Sequence, residues 1–354
     1  MAENSKNMSL TLFVPGLMWF EDSRYRELVR QLPQQQRRLP VLELMISRSE
    51  KSRINATSFE SALFELFHLE KPDSGDYPIG ALSYYLHSGE ISRRWYMRAD
   101  PVYMQPNRDH LLLLGNDMID ISTQDAEQLV GDINKTYFDT PWEIKMLSAR
   151  HWVLEMDQAP NIQTHSLANV TGRNINDYLP YGDDATGWHA LLNELQMLLH
   201  SHAVNRDREM RGLPTVNSVW FWGAGQLPRV DGDNKQQDFV QCWSQHPTVL
   251  ALARYCGIPR VDLPEDGDAW LKYAITPGNH LLMLDDLNVP VSLVDPYQWW
   301  QSLLMIEQQW LQPLLSALQN GDLAKLCVIS DSGQRLNLTP ALSKRWWKRS
   351  KALV

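Results

Sequence analysis

Seven short apolar segments run along this chain, and helical patterns fill the spaces between them. The segments are Leu10–Val14, His110–Leu114, Trp142–Leu147, Trp152–Met156, Ser218–Trp222, His280–Leu284 and Leu326–Ser330. Each reads as a buried strand. Between them, Ser58 reads as an N-cap ahead of an apolar face made by Phe59, Leu63, Phe64, Leu66 and Phe67. Ser122 and Asp125 form a capping box that leads into Leu129, Val130, Ile133 and Tyr137. Trp188, Leu191, Leu192, Leu195, Leu198 and Leu199 keep helical spacing. Residues 248–256 read as a helix stopped by Gly257. Asp295-Pro296 is an N-cap followed by proline at the first helical position, ahead of a broad apolar face from Trp299 to Leu315. Strands alternating with helices predict an α/β fold, a mostly parallel sheet between helical layers.

With 354 residues and 44% hydrophobic content, the chain can bury a large core in one or two domains. Residues 116–180 read as helix, strand, strand and a Gly/Asn/Asp-rich stretch. They are expected to form a small α/β insertion, starting at Asn116, that adds no strand to the main sheet. Residues 8–115 and 181–354 are then the core. No internal repeat stands out, and the biased run from Gln34 to Arg38 reads as a solvated loop.

The formal charge of −9 disfavours nucleic acid or an anionic membrane surface as the main partner. Three scattered cysteines, Cys242, Cys256 and Cys327, lack the spacing of a disulfide framework or a zinc site. The apolar run from Met8 to Phe20 contains Pro15-Gly16 and lacks a small-x-small cleavage site, so it reads as a first strand and turn. No stretch of 18 apolar residues predicts a membrane span. A cytoplasmic protein is expected.

The stretch from Arg173 to Arg229 holds residues that packing alone would not choose: Asn205, Arg206, Arg208, Asn217, Gly223 and Gly225. A helix, a polar elbow, a buried strand and a glycine turn follow in close order. Trp222-Gly223-Ala224-Gly225 is a GxG without the third glycine or a following helix, so a dinucleotide loop is not expected, and no Walker A motif occurs. It reads as a tight turn, or as bare backbone at a sheet edge where α/β proteins bind ligands. His200 and His202 stand two apart at a helix end and point to different faces. Asp331-Ser332-Gly333 and Asp285-Asp286 each follow a strand, as metal ligands or as turn starters. The basic tail Lys344-Arg345-Trp346-Trp347-Lys348-Arg349 is expected to pack its tryptophans back on the domain.

The blocks LNELQMLLH, VNRDREMRG and VNSVWFWGAGQLP resemble the RpfE-type regulatory protein family of bacteria. So do WYMRADPVYM with HLLLLGNDMIDIS, and YPIGALSYYL upstream. That family looks like a divergent relative of the archaeal-type cofactor-independent phosphoglycerate mutases, in the alkaline-phosphatase-like superfamily. The shared pattern falls here on Asn205, Arg208, Gly212, Asn217, Gly223 and Gly225. The resemblance implies an alkaline-phosphatase-like core with an inserted small domain. Active relatives hold two divalent metals on Asp and His ligands and attack phosphate with a Ser.

This chain departs from that pattern. Val14-Pro15-Gly16-Leu17 stands where the first metal Asp should follow the first strand. SFESAL from Ser58 to Leu63 lacks the expected His of the nucleophile region. The later Asp-x-x-x-His pair is not evident in DDLNVPVSLVDPY, and Asp331 lacks its His partner. A two-metal site needs those carboxylates and imidazoles to neutralise and orient both cations.

Two readings follow. The first is a catalytically degenerate regulatory or binding protein without a metal, serving a small anionic or phosphorylated ligand or a regulatory protein partner. Its ligand pocket would be lined by Asn205, Arg208, Asn217, Trp222, Gly223 and Gly225, with arginine forking onto the anion and the glycine-turn N–H groups cradling it. Arg208, Asn217 and Gly223 are expected to converge on one concave surface, with Arg208 contributing little to stability. The second is an active mutase or phosphatase with two divalent metals, such as Mn or Zn, held by Asp285, Asp286, Asp295 or Asp331.

Overall fold

The computed structural model describes residues 8–21, 23–33, 37–70, 75–107, 110–115, 119–228, 238–288, 291 and 295–353. The glutamines of the expected loop at 34–36, the expected insertion start at Asn116, and residues 289, 290 and 292–294 of the compared segment lie outside the described residues. The strands are β1 (Met8–Phe13), β2 (Glu50–Arg53), β3 (Trp95–Asn107), β4 (His110–Leu114), β5 (Trp142–Ser148), β6 (His151–Met156), β7 (Ser218–Gly225), β8 (Gln241–Trp243), β9 (Arg260–Val261), β10 (Gly278–Met283), β11 (Lys325–Ile329) and β12 (Gln334–Leu338).

The chain divides into two compact units. One takes in Met1–Glu70 and Val230–Val354, the other Lys71–Arg229. The expected insertion at 116–180 lies inside the second unit, which is wider: it also contains β3, β4 and β7, assigned above to the core. The physical reason is pairing. β3 bonds to β6 on one side and to β7 on the other, so residues flanking the expected insertion belong to its own sheet.

The first unit holds a seven-stranded sheet in the order β2-β12-β11-β1-β10-β8-β9. β11, β1, β10, β8 and β9 run parallel, and β12 and β2 add an antiparallel edge. The molecule is thus a mixed α/β protein with a large, mostly parallel sheet. Alternation along β1 sends Met8, Leu10 and Leu12 to one face, where they join Trp270, Trp299, Trp300, Trp310 and Leu314 in the main apolar core. Phe13 points to the other face and stacks on Phe59 of the helix Phe59–Leu66. Helices therefore cover both faces.

The second unit is an antiparallel sheet in the order β4-β3-β6-β5, with β7 paired to β3. The helices Thr123–Thr136 and Ala185–His200 bury Leu129, Ile133, Leu192, Leu195 and Leu199 against it. The helix Ile79–Ser88 packs so closely that a Cβ on Gly80 would come within 2.6 Å of the Met97 Cα.

Among the described residues no helix is long and apolar enough to cross a membrane. The tail differs from expectation. Trp346 and Trp347, past the end of the last short helix at Ser343, are 79% and 63% exposed and pack edge-on against each other.

Candidate functional site

The residues of the expected pocket separate into two groups at opposite ends of β7. At its start, Asn205 and Arg208 lie one turn apart on the helix Ala203–Met210, both 1% exposed. Asn205 Nδ2 donates to the carbonyls of Leu199 at 2.7 Å and Val216 at 2.8 Å, and its Oδ1 accepts from the Val216 N–H at 2.8 Å. Arg208 Nε donates to the Pro214 carbonyl at 2.9 Å, Nη2 to the Asp120 carbonyl at 2.8 Å, and Nη1 meets the Asp125 carboxylate at 3.4 Å. Asn217 accepts from the Met104 N–H at 2.7 Å and donates to the Met104 carbonyl at 2.9 Å. Its amide continues the β3–β7 ladder by imitating a peptide. The elbow turns back onto the loop before β7, through the carbonyls of Pro214 and Val216. It does so to fasten backbone, and this trio has no solvent-facing donor set.

At the far end, Gly223 takes φ +66° and the register of β3 and β7 slips between Tyr96 and Arg98. The Trp-Gly-Ala-Gly turn is therefore a β-bulge, with glycine supplying the left-handed residue. Gly223 and Gly225 also admit the helix Ile79–Ser88: a Cβ on Gly225 would sit 2.5 Å from the Pro78 Cβ. The N–H groups of the bulge already face an anion, the chain's own Asp76. That carboxylate accepts from the Thr164 N–H at 3.1 Å and from its hydroxyl, and is stabilised by the N–H groups of Ala224 and Gly223. Burial still outweighs those bonds and holds Asp76 above the usual carboxylate range. Trp222 Nε1 donates to Asp100 at 2.7 Å, and Asp100 pairs with Arg98. The residues expected to line one ligand pocket, Asn205, Arg208, Asn217, Trp222, Gly223 and Gly225, thus fall into two separate internal clamps. Asp76 is separated from the bulge by well over a hundred residues in the sequence, and only the fold brings its carboxylate there.

His200 and His202 do not share a ligand either. His202 caps the helix Ala203–Met210, its Nδ1 accepting from the Val204 N–H at 3.2 Å and its Nε2 meeting Asp132 at 2.9 Å. His200 is exposed at the end of the preceding helix.

The remaining acids gather at the carboxyl ends of the parallel strands in the first unit, where α/β sheets open their sites. Strand order places β1 between β11 and β10. Asp331 follows β11, and Asp285 and Asp286 follow β10. After β1, the Pro15-Gly16 turn directs the Gly16 N–H to Asp331 Oδ1 at 2.9 Å. Gly16 has φ +76°, and a Cβ there would fall 2.8 Å from Val291. Burial raises all three carboxyls. For Asp331 the Gly16 and Ser332 N–H groups offset part of this, and for Asp286 the Asp285 charge adds to it.

The other groups of this edge are engaged. Ser58 and Ser61 close a capping box, Ser61 N–H to Ser58 Oγ at 3.2 Å and Ser58 N–H to Ser61 Oγ at 2.8 Å. Asp295 caps the helix Pro296–Ile306, accepting from Tyr297 and Gln298 at 3.1 and 3.0 Å. Among the described residues no three His, Cys, Asp or Glu side chains come together to hold a metal ion. The described residues therefore do not assemble a two-metal centre.

No family model matches the chain. It is 40% identical over 60 residues to the 2,3-bisphosphoglycerate-independent phosphoglycerate mutase of Methanothrix thermoacetophila, covering 17% of this chain and 15% of that protein. It is 36% identical over 103 residues to the enzyme of the same description from Methanosarcina acetivorans, covering 27% and 24%. It is 25% identical over 134 residues to a probable mutase of that kind from Geobacter sulfurreducens, covering 38% and 34%. The matched segments thus span 15–34% of the length of these curated relatives. Among solved structures, the PH0037 protein from Pyrococcus horikoshii shares the fold, with a TM-score of 0.50 at 12% identity over 94% of this chain and 87% of that one. The cofactor-independent phosphoglycerate mutase of Thermoplasma acidophilum aligns with a TM-score of 0.47 at 19% identity, covering 94% and 89%. The chain is phosphoglycerate-mutase-like, similar in part of its sequence to the cofactor-independent enzymes.

Proposed function

We propose that this chain is a catalytically degenerate relative of the cofactor-independent phosphoglycerate mutases, kept for ligand binding and regulation. The observation that carries this reading is the Gly16–Asp331 hydrogen bond. Resemblance to the active enzymes calls for a metal carboxylate after β1 and for a His beside Asp331. Here a Pro-Gly turn stands in the first place, its N–H bonded to Asp331, and Asp285 and Asp286 follow the neighbouring strand β10. Two cations need several carboxylates and imidazoles to neutralise them, and this edge supplies no such set among the described residues. The resemblance of the central sequence blocks to the RpfE-type regulatory family supports a regulatory role, exercised through a small anionic ligand or a protein partner in the cytoplasm.

A second reading is an active metal-dependent mutase or phosphatase. The raised carboxyls of Asp285, Asp286 and Asp331 favour it, because a bound cation would relieve the cost of burying their charge. Elemental analysis of the purified protein, with a mutase assay on 3-phosphoglycerate in manganese or zinc, separates the two. The degenerate reading expects no stoichiometric metal and no turnover. Two metals per chain with turnover would overturn it.

A further inference from the structure

The face of the large sheet that carries Phe13 is polar at its other end. Alternation and register place Ser9, Asn279 and Lys325 in one cross-strand row. Thr11 and Cys327 stand in the next, and Arg335 is opposite Ile329 one row further on. A sheet face beneath a helix is ordinarily apolar. Here it lines a cavity of about 270 Å³, walled by Glu65 and Leu66 of the covering helix and by His68, Asp238 and Phe239. The opening lies at the amino ends of the parallel strands. Ser9, Asn279 and Lys325 lie toward the amino end of the six-residue β1, about 16 Å along the strand from the Asp331 edge, and Arg335 reaches the cavity from the Phe13 row.

Three features mark the cavity as built for an anion. Among the described residues neither Lys325 nor Arg335 forms an ion pair, and the Arg335 Nε is buried without a hydrogen-bond partner. The floor offers neutral hydroxyl and amide groups, with Thr11 Oγ1 and Asn279 bonded to each other at 3.3 Å. At the rim, His68 is the one non-glycine residue at positive φ (+52°) among those described. It occupies the left-handed position after a helix where glycine is usual, and its Nε2 pairs with Asp238 at 2.9 Å. That pairing occupies one rim carboxylate, and the other acid of the wall, Glu65, is solvent-exposed, whereas the Arg335 Nε is buried. The field is felt by Cys327, whose thiol is raised by burial and lowered in part by Arg335 and Lys325.

We infer that this cavity binds a small oxyanion, a phosphate or carboxylate group held between Lys325 and Arg335 above Ser9, Thr11 and Asn279. The guanidinium forks onto two oxygens, the ammonium supplies a point charge, and the neutral floor donates without repelling. The volume suits a small metabolite and not a nucleotide. None of its lining residues is an acid of the Asp331 edge, so the inference holds whether or not that edge is catalytic.

Titration calorimetry tests this on the full chain with inorganic phosphate, 3-phosphoglycerate and citrate as probes. Saturable binding of at least one is expected. Phosphate and 3-phosphoglycerate without citrate identify a phosphate site, and citrate alone identifies a carboxylate site. Lys325→Gln and Arg335→Gln should each weaken binding about tenfold. Lys51→Gln, whose cross-strand partner Leu336 faces the opposite side of the sheet, should leave it unchanged. If either cavity variant unfolds, alkylation of Cys327 in the wild-type chain replaces it: the binding probe should slow the reaction. No binding of any probe up to about 10 mM, equal affinity in folded variants, or no protection of Cys327 would overturn the proposal.

Discussion

Arg208 fastens Pro214: its Nε donates to the proline carbonyl at 2.9 Å while the same guanidinium reaches Asp120 and Asp125. One buried side chain thus joins the elbow, the loop before β7 and the start of the helix Thr123–Thr136. Arg208→Ala would leave two carbonyls and a carboxylate without their donor. We expect a loss of about 3 kcal/mol in chemical denaturation. Arg208→Lys should recover only part of it, because an ammonium cannot reach three acceptors in the fork geometry. A loss no larger than that of an exposed arginine would show that the clamp is not structural.

Asn217 makes a two-way bond with one peptide, and this predicts an asymmetry. Asn217→Asp keeps the size and loses the donor to the Met104 carbonyl, setting an anion beside it. Destabilisation of about 2 kcal/mol is expected at neutral pH. Asn217→Asp at low pH regains an O–H donor, so the deficit should narrow on acidification. An unchanged deficit between neutral and acid conditions would argue against the bond.

Glycines separate into two kinds. Gly80 and Gly225 have no room for a methyl group, whereas a Cβ on Gly131, inside the helix Thr123–Thr136, would meet nothing within 4 Å. Gly80→Ala should cost about 2 kcal/mol through displaced Met97 backbone. Gly131→Ala should stabilise by about 0.5–1 kcal/mol through lower unfolded-chain entropy. Thermal melts of the two variants should move in opposite directions. Two melts shifting the same way would contradict the packing described for the helix Ile79–Ser88.

The strands legible in the sequence were those whose apolar residues run together. His110–Leu114 matches β4, and the segments for β1, β5, β6, β7, β10 and β11 fall on their strands. β3 was not legible, although it is the longest. It carries Arg98, Asp100, Pro101 and Pro106, residues that speak against a central strand until the fold supplies partners. Arg98 and Asp100 neutralise each other there, and Asp100 accepts from Trp222. Without β3 the sequence does not show what ties β6 to β7. In the block from Asn205 to Gly225, the sequence showed that the residues were special and not what made them so. Asn, Arg and Gly serve backbone clamps and ligand sites by the same chemistry, and only geometry tells a buried carbonyl from an absent ligand. The cavity at Lys325 and Arg335 was invisible for another reason: its polar residues come from four strands, one or two from each, and only the sheet register lines them up.

Asp331 gives a test that depends on pH. Burial raises its carboxyl above the ordinary value, and the Gly16 and Ser332 N–H groups return only part of that shift. In the folded protein it therefore holds its proton to higher pH than in the unfolded chain. Between the ordinary carboxylate pKa and the raised one, the folded state binds more protons, so stability falls as pH rises through that window. Above the raised pKa the contribution is gone and the curve is flat. Asp331→Asn keeps an oxygen to accept from Gly16 and carries no charge to bury. The variant should be more stable than the wild type at neutral pH. Its advantage should shrink through the carboxylate range and vanish below it. Denaturant midpoints of both proteins from acid to neutral pH measure the difference directly. A variant less stable than wild type at neutral pH would mean that the anion is needed at this edge, as a cation-binding Asp331 would require, and would favour the metal-dependent reading.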